Sequence, residues 1–446
     1  MTTRRDFITK TVLSSAGLML GKSVMSMSAR SYNRIIGAND RIHVALAGLG
    51  RRVGAYYDPM GKKEANVEVV YLCDVMKSQR ERCLKEISKH ISNTPTLEND
   101  IRKVLADKNV DVLVNATPDH WHTPGSILAM QAGKNVYVEK PCSHDMQENE
   151  WLVQAAKKYK KIVQMGNQQR SSAHTIDIID QIHKGVIGTA YKAVAFYSNA
   201  RGEVPKQKAA QPPAGLDWEL WQGPAVRRDY TDNTWDYNWH WYGWNYGTAE
   251  AGNNATHELD VARWALGVDY PEFAEVEGAK RHFLNDGWEM YDTILSTFRF
   301  PDNKIIQWDG KSRNGYNTYG SDRGTIIFGS EGTVYVDRNK YRLMDRSGKL
   351  IKNFDSNSHE AGNTLGGGGD TTTGHMINFL NTIRGKDSLH APIADASISM
   401  AMVHYTNMAF RTNKGFAVDP TTGHVKDPEV QKLWGRQYAS GWQPKL

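Results

Sequence analysis

Two short stretches hold residue types that can move a proton at neutral pH. The first is Val136-Tyr137-Val138-Glu139-Lys140-Pro141, a β-branched and aromatic run that ends in a carboxylate, an amine and a proline. The second runs from Asn253 through His257 to Asp260 and sets an amide about one helical turn ahead of an imidazole. Burial penalises a charged ammonium, so a lysine taken out of water becomes a usable acid or base. The competing reading of the first stretch is structural: Glu139 paired with a nearby cation, and Lys140 at a solvated rim. The competing reading of His257 is a satisfied helix histidine. His257 and Asp260 stand three apart and share one helix face.

The elements around these residues decide where they point. The apolar run before Glu139 predicts a buried parallel strand, which puts the charged pair at its carboxyl end, where open α/β sheets take their ligands. A strand over 41–47 leads into Gly48-Leu49-Gly50 and then a helical pattern. Gly48 permits a tight turn, and Gly50 lets the backbone approach a pyrophosphate at a helix N-terminus. The third glycine, Gly54, falls one place late for a strict G-x-G-x-x-G, and a plain turn is the alternative. A strand over 67–72 ends in Cys73-Asp74, with Asp74 placed 26 residues after Gly48. A carboxylate there accepts the ribose hydroxyls and repels a 2′-phosphate, so NAD is expected over NADP; Arg80 and Arg82 nearby keep NADP open.

A strand over 112–116 leads into Thr117-Pro118-Asp119-His120-Trp121-His122, expected as a loop beside the nicotinamide pocket. Metal binding by His120 and His122 lacks a third ligand, so no metal is expected. Helices over 123–132 and 146–159 and a strand over 162–165 complete an alternation that predicts a doubly wound parallel sheet over 39–165. Beyond it, a helix over 174–183 and a strand over 190–198 precede an irregular region. Six of the thirteen tryptophans lie there: Trp218, Trp221, Trp235, Trp239, Trp241 and Trp244. Aromatic faces stack on the C–H faces of sugar rings. The alternatives are rings that pack the loop or form a subunit contact. Strands over 273–281, 291–300, 304–308, 324–328 and 333–336, with turn signals such as Pro301-Asp302-Asn303, predict a mainly antiparallel sheet. Helices over 374–384 and 394–411 close the chain. The glycines at 366–369 read as a loop near the mouth of the site, or as a plain linker.

Gly48 and Gly50, Asp74, the 117–122 segment and Glu139-Lys140-Pro141, in this order and spacing, resemble the Gfo/Idh/MocA oxidoreductase family, typified by glucose–fructose oxidoreductase and inositol dehydrogenase. The resemblance implies an α/β architecture: a Rossmann domain over 39–165, and an α+β substrate and oligomerisation domain over 166–446 in a homo-oligomer, dimer or tetramer. It assigns Gly48, Gly50, Arg51, Asp74, Thr117, Pro118, His120, His122, Glu139 and Lys140 to the cofactor. It assigns Lys140, Arg170, Trp239, His240, Asn253 and His257 to the substrate. Lys140 is then the nearer acid/base, His257 its co-catalyst, and Asn253 the residue that orients the hydroxyl. Many members carry Asp where this chain has Asn253, which removes a charge that would raise the histidine's pKa.

The N-terminus sets a further expectation. Thr3-Arg4-Arg5-Asp6-Phe7-Ile8 and the apolar 12–20 look like a twin-arginine export signal, with 1–38 as signal and linker and a periplasmic destination. The apolar part is too short to span a bilayer; the alternative is an amphipathic helix. Residues 1–30 hold +4 of the formal net charge of +6, so the remainder is near +2 and argues for no nucleic-acid or membrane partner. Three cysteines without metal or pairing spacing give no disulfide framework.

The reading is an NAD(P)-dependent oxidoreductase acting on a secondary hydroxyl of a sugar or glycoside. Free NAD does not circulate outside the cytoplasm, so an exported enzyme is expected to keep its cofactor tightly bound. One alternative is a redox glycosidase or lyase working through a 3-keto intermediate, although those relatives usually lack Glu-Lys-Pro. The other is a non-catalytic sugar-sensing or scaffold protein on the same fold.

Overall fold

The computed structural model describes residues 40–355 and 369–446. The twin-arginine segment and the glycines at 366–368 lie outside the described residues. Strands β1 (Ile42–Ala47), β2 (Val67–Cys73), β3 (Thr96–Glu98), β4 (Val112–Asn115), β5 (Asn135–Val138) and β6 (Val163–Met165) form one parallel sheet in the order β3-β2-β1-β4-β5-β6. The strand order reverses between β1 and β4, which opens a crevice at their carboxyl ends. Gly48 follows β1 and Lys140 follows β5, so both stand at that edge.

Both faces of the sheet are buried, as a parallel sheet requires. On one face Val44 and Leu46 of β1 pack with Val69, Val112 and Val114, with Ile87 from helix Lys77–Ile87, and with Met376, Phe379 and Leu380 from helix Gly369–Ile383. On the other face Ala45 and Ala47 pack with Ile127 and Met130 of helix Asp119–Gln131 and Leu152 of helix Met146–Tyr159. The alternation along β1 is the two-residue period of a strand. A helix from late in the chain thus completes the nucleotide half.

The second sheet contains β7 (Ala190–Ala200), β8 (Phe273–Ala279), β9 (Thr293–Arg299), β10 (Ile305–Lys311), β11 (Arg313–Asn314), β12 (Arg323–Gly329), β13 (Gly332–Val336), β14 (Lys340–Asp345), β15 (Leu350–Asp355) and β16 (Phe416–Ala417). Its order is β15-β14-β13-β12-β7-β10-β9-β8-β16, with β11 paired to β7, and among the described residues only its β7–β10 pair is parallel. Helices Thr256–Leu266 and Ile393–Thr412 lie against it. Burial alternates along β10, with Ile306, Trp308 and Gly310 inward. β15 is exposed at every residue, so it carries no alternation for sequence reasoning to find.

The helical pattern expected straight after Gly50 is a 3-10 turn, Val53–Tyr56, and a five-residue helix, Tyr57–Gly61. Gly54 and Pro59 are poor helix formers and keep it short. Among the described residues, no helix is long and apolar enough to cross a membrane.

Candidate active site

Gly48 sits at φ +82°, and a Cβ there would fall 2.3 Å from the Ala116 carbonyl oxygen, so the turn between β1 and β4 admits only glycine. A Cβ on Gly50 would meet nothing within 4 Å, which leaves open backbone facing the cavity. Asp74 closes this end. Its Oδ2 accepts the Leu49 N–H at 2.6 Å and its Oδ1 the Met76 N–H at 2.8 Å. Burial raises its pKa against these two donors and against Arg80 and Arg82. Arg80 donates to the Asp74 carbonyl, and Arg82 to those of Leu49 (2.5 Å) and Gly50 (3.2 Å). Both guanidiniums are therefore turned to the main chain, and Asp74 is the carboxylate that lines this end of the cavity. The open glycine backbone and the strand-end carboxylate fit a dinucleotide.

The charged pair after β5 divides between two environments. Glu139 is buried, and its Oε1 accepts from Arg52 Nε at 2.7 Å, the Tyr56 hydroxyl at 2.5 Å and Gln168 Nε2 at 3.2 Å. Burial opposes its ionisation, but Arg52 and Tyr56 outweigh that and hold its pKa below the usual range. The structural ion pair considered from sequence thus exists. Lys140 is half-buried and lines the cavity. Burial lowers its pKa, and Glu139 and Asp119 only partly offset the shift. Its Nζ donates to the Asn253 carbonyl at 2.7 Å.

The opposite wall starts with a π-helical turn, Ala251–Ala255, continued by helix Thr256–Leu266. The π-turn turns the Asn253 carbonyl to Lys140, while the Asn253 amide donates to Glu250 Oε1 at 3.3 Å. His257 is 5% exposed and lines the cavity. Burial first, then the charges of Arg338, Lys140 and Arg323, push its pKa well below the ordinary imidazole value. It is a neutral ring in a positive field.

The cavity holds about 380 Å³. It brings together Gly48, Gly50, Arg51, Asp74, Thr117, Pro118, His122, Glu139 and Lys140 with Trp239, His240, Asn253 and His257. His240 stacks on Trp239 with ring centres 3.6 Å apart, and burial pushes its pKa down to about 3. Trp221 and Trp235 also line the space, whereas Trp241 stacks on Trp288 in the core.

Two candidate contacts lie elsewhere. His120 does not line the cavity: it is buried, stacked near Trp221 and Tyr246, and its Nε2 bonds the Trp221 carbonyl at 2.9 Å. The 119–122 segment is not a loop but the first turn of helix Asp119–Gln131, which aims His120 at the aromatic cluster and His122 at the Pro141 carbonyl, 2.6 Å away. Arg170 is also absent from the cavity lining. Its guanidinium grips Asp260 with bonds of 2.7 and 2.8 Å, a buried bidentate pair ninety residues apart in sequence. Sequence reasoning missed Arg52, Asp119, Arg201, Arg323 and Arg338, all on the cavity wall. Arg52 directly follows the glycine turn and was open to inference. Arg338 lies in the turn between β13 and β14, where an arginine reads as a solvated charge.

Residues 42–167 match the oxidoreductase family described as an NAD-binding Rossmann fold. They belong to the Gfo/Idh/MocA oxidoreductases. The cofactor of this Gfo/Idh/MocA half is NAD. The chain is similar to a glycosyl hydrolase family 109 protein of Shewanella baltica (strain OS185), 25% identical over 209 residues, which are 44% of this chain and 45% of that protein. It thus spans about half the length of the curated relatives it matches. Among solved structures, the WlbA dehydrogenase from Bordetella pertussis, in complex with NADH and UDP-GlcNAcA, aligns at a TM-score of 0.60 and 19% identity, over 85% of this chain and 99% of that one. An aldose-aldose oxidoreductase from Caulobacter crescentus, complexed with glycerol, aligns at 0.60 and 16%, over 85% and 100%. These two likenesses extend the shared fold through the second sheet.

Proposed function

We propose that this protein oxidises a secondary hydroxyl of a sugar or glycoside and keeps its NAD bound through turnover. The observation that carries the reading is the placement of two bases of lowered pKa, the half-buried Lys140 and the buried His257, on the same cavity as the Gly48–Gly50 turn. NAD, when bound across Gly50 and Asp74, supplies a hydride acceptor; the protein supplies position and proton transfer. Lys140 takes the hydroxyl proton as the adjacent C–H bond breaks. The bond from its Nζ to the Asn253 carbonyl fixes where the amine stands. His257 has no hydrogen-bond partner among the described residues, so its ring is available to the substrate oxygen. The sugar itself is supported by the neighbours, one crystallised with a nucleotide sugar and one an aldose-aldose oxidoreductase.

Retention of the cofactor is supported by a cover over the groove. Leu216 bridges to Met76, and the Asp217 N–H donates to the Val75 carbonyl at 3.0 Å, beside Asp74. Further along, Arg51 from the glycine turn pairs with Asp236 at 3.0 Å and lies 4.2 Å over the Tyr237 ring. Export by the twin-arginine route, suggested by Arg4 and Arg5, would require such retention. The likeness to a glycosyl hydrolase family 109 protein favours a second reading: oxidation of a glycoside, cleavage at the neighbouring acidified carbon, then return of the hydride.

The test is denaturing release of small molecules from fresh protein, with nicotinamide absorbance followed during incubation with a panel of glycosides. Stoichiometric NAD that is reduced and then reoxidised as product leaves supports retention and a closed cycle. Activity only on added NAD removes retention. No spectral change with any sugar removes the oxidoreductase reading.

A further inference from the structure

Three guanidiniums line the cavity on its second-sheet wall: Arg201 just past β7, Arg323 at the start of β12, and Arg338 between β13 and β14. Two of them are answered by the protein. Arg201 Nε lies 3.5 Å from Glu250 Oε1, and Arg323 Nε donates to Glu258 Oε1 at 2.7 Å. Arg338 has no ion pair or hydrogen bond among the described residues. The carboxylates lining the cavity are engaged elsewhere. Asp74 accepts from Leu49 and Met76, Asp100 from Arg102, Asp119 from Thr248, Glu139 from Arg52, and Asp236 from Arg51.

A guanidinium keeps its charge at working pH, and a half-buried one such as Arg338 is costly to leave without a partner. Burial and the nearby Arg323 charge push Arg338 down to about 9, a measure of how poorly it is compensated. His257, nine-tenths buried, lines the same space and also lacks a partner among the described residues. Of the three guanidiniums on this wall, Arg201 and Arg323 are each paired with a glutamate, and Arg338 is the one left over. The complement to one leftover charge is a single negative charge.

We propose that Arg338 anchors an oxyanion subsite, and that the sugar taken by this site carries a singly charged anionic substituent. The inference rests on the reading of the cavity as a sugar oxidoreductase site. A ring carboxylate matches the guanidinium fork with two parallel hydrogen bonds. A sulfate ester carries the same charge and is the other source of this chemistry. Tyr197 and Asn199 line the same wall and offer polar edges beside the anion.

The test uses NAD-loaded protein and matched methyl glycosides of gluco, galacto and manno configuration, each as the neutral sugar, the uronide and the 6-sulfate. Equilibrium binding by calorimetry and turnover are both measured. In the matching configuration, an anionic form binds roughly ten- to a hundredfold tighter than its neutral partner. Arg338→Gln brings that ratio towards one, and its melting temperature equals or exceeds the parent's because no internal partner is lost. Preference for the uronide assigns a carboxylate, and preference for the sulfate assigns a sulfate ester. Equal binding of neutral and anionic forms, or an unchanged ratio in Arg338→Gln, overturns the subsite. Neutral sugars oxidised without anion preference leave the oxidoreductase reading standing and the subsite refuted. Tight uronide binding without reduction of NAD does the reverse.

Discussion

The two ends of the cavity treat charge in opposite ways. At the glycine-turn end the charged groups are matched within the protein: Arg51 with Asp236, Arg52 with Glu139, Asp74 with two backbone N–H groups. At the Lys140 end, His257 and Arg338 face the space without partners among the described residues, and Lys140 donates only to a carbonyl. One peptide bond, between Glu139 and Lys140, separates the two regimes. A matched charge fixes the shape of a binding surface, whereas an unmatched one waits for what the ligand brings. Strained protonation states of this kind cluster where chemistry is done.

The largest effect is expected at Lys140. Lys140→Met should lower turnover by roughly 10²–10⁴-fold while released NAD stays stoichiometric. Near-normal turnover in that variant would remove Lys140 from the mechanism. In the parent, kcat/KM should rise with pH as Lys140 loses its proton, over a range below the ordinary lysine value of 10.5. The matched end should respond in stability instead. Glu139→Gln leaves the Arg52 charge without its carboxylate and should cost about 3 kcal/mol, read by chemical denaturation; a loss confined to activity would contradict the structural role given to that pair.

A smaller effect comes from the histidines that lie outside the comparison. His120 and His404 are buried, and burial lowers each from 6.5 to about 3. The unfolded chain binds the extra proton first, so their contribution to stability is full above pH 6.5 and is lost as pH falls towards 3. His120→Gln should flatten that part of a stability–pH curve. The smallest effect is expected at the cover. The Arg51–Asp236 pair is about half exposed, so Asp236→Asn should speed NAD release only about two- to fivefold, within the range of less than 1 kcal/mol typical of such pairs. A much larger change would mean that this pair, rather than the backbone contacts at Val75 and Met76, holds the cover down.

Sequence reasoning reached the parallel sheet because its strands are short apolar runs ending in glycine, aspartate or the Glu-Lys-Pro turn, all local signals. It brought Lys140, Asn253 and His257 into one hypothesis, and the fold brings them to one cavity. It did not see that Asn253 acts through its carbonyl, because a π-turn leaves no mark in residue type. The resemblance assigns Arg170 to substrate, and its pairing with Asp260, ninety residues away in the chain, has no local signal to correct that. The resemblance assigns His120 to the cofactor with a helix expected from 123; the helix begins at Asp119 instead, and His120 packs against Trp221 and Tyr246. β14 escaped notice, and with it the hairpin that carries Arg338 into the site.

Helix Gly369–Ile383 has a consequence for the order in which this protein can be made. Until Met376, Phe379 and Leu380 leave the ribosome, one face of the first sheet has Val44, Leu46, Val69 and Val114 without part of their cover. A sheet whose first strand begins at residue 42 is therefore covered only when synthesis is more than five-sixths complete. During that interval the nascent chain presents a sticky apolar surface of the kind chaperones hold. A fragment cut at the end of the family match, residue 167, should for the same reason be poorly soluble on its own.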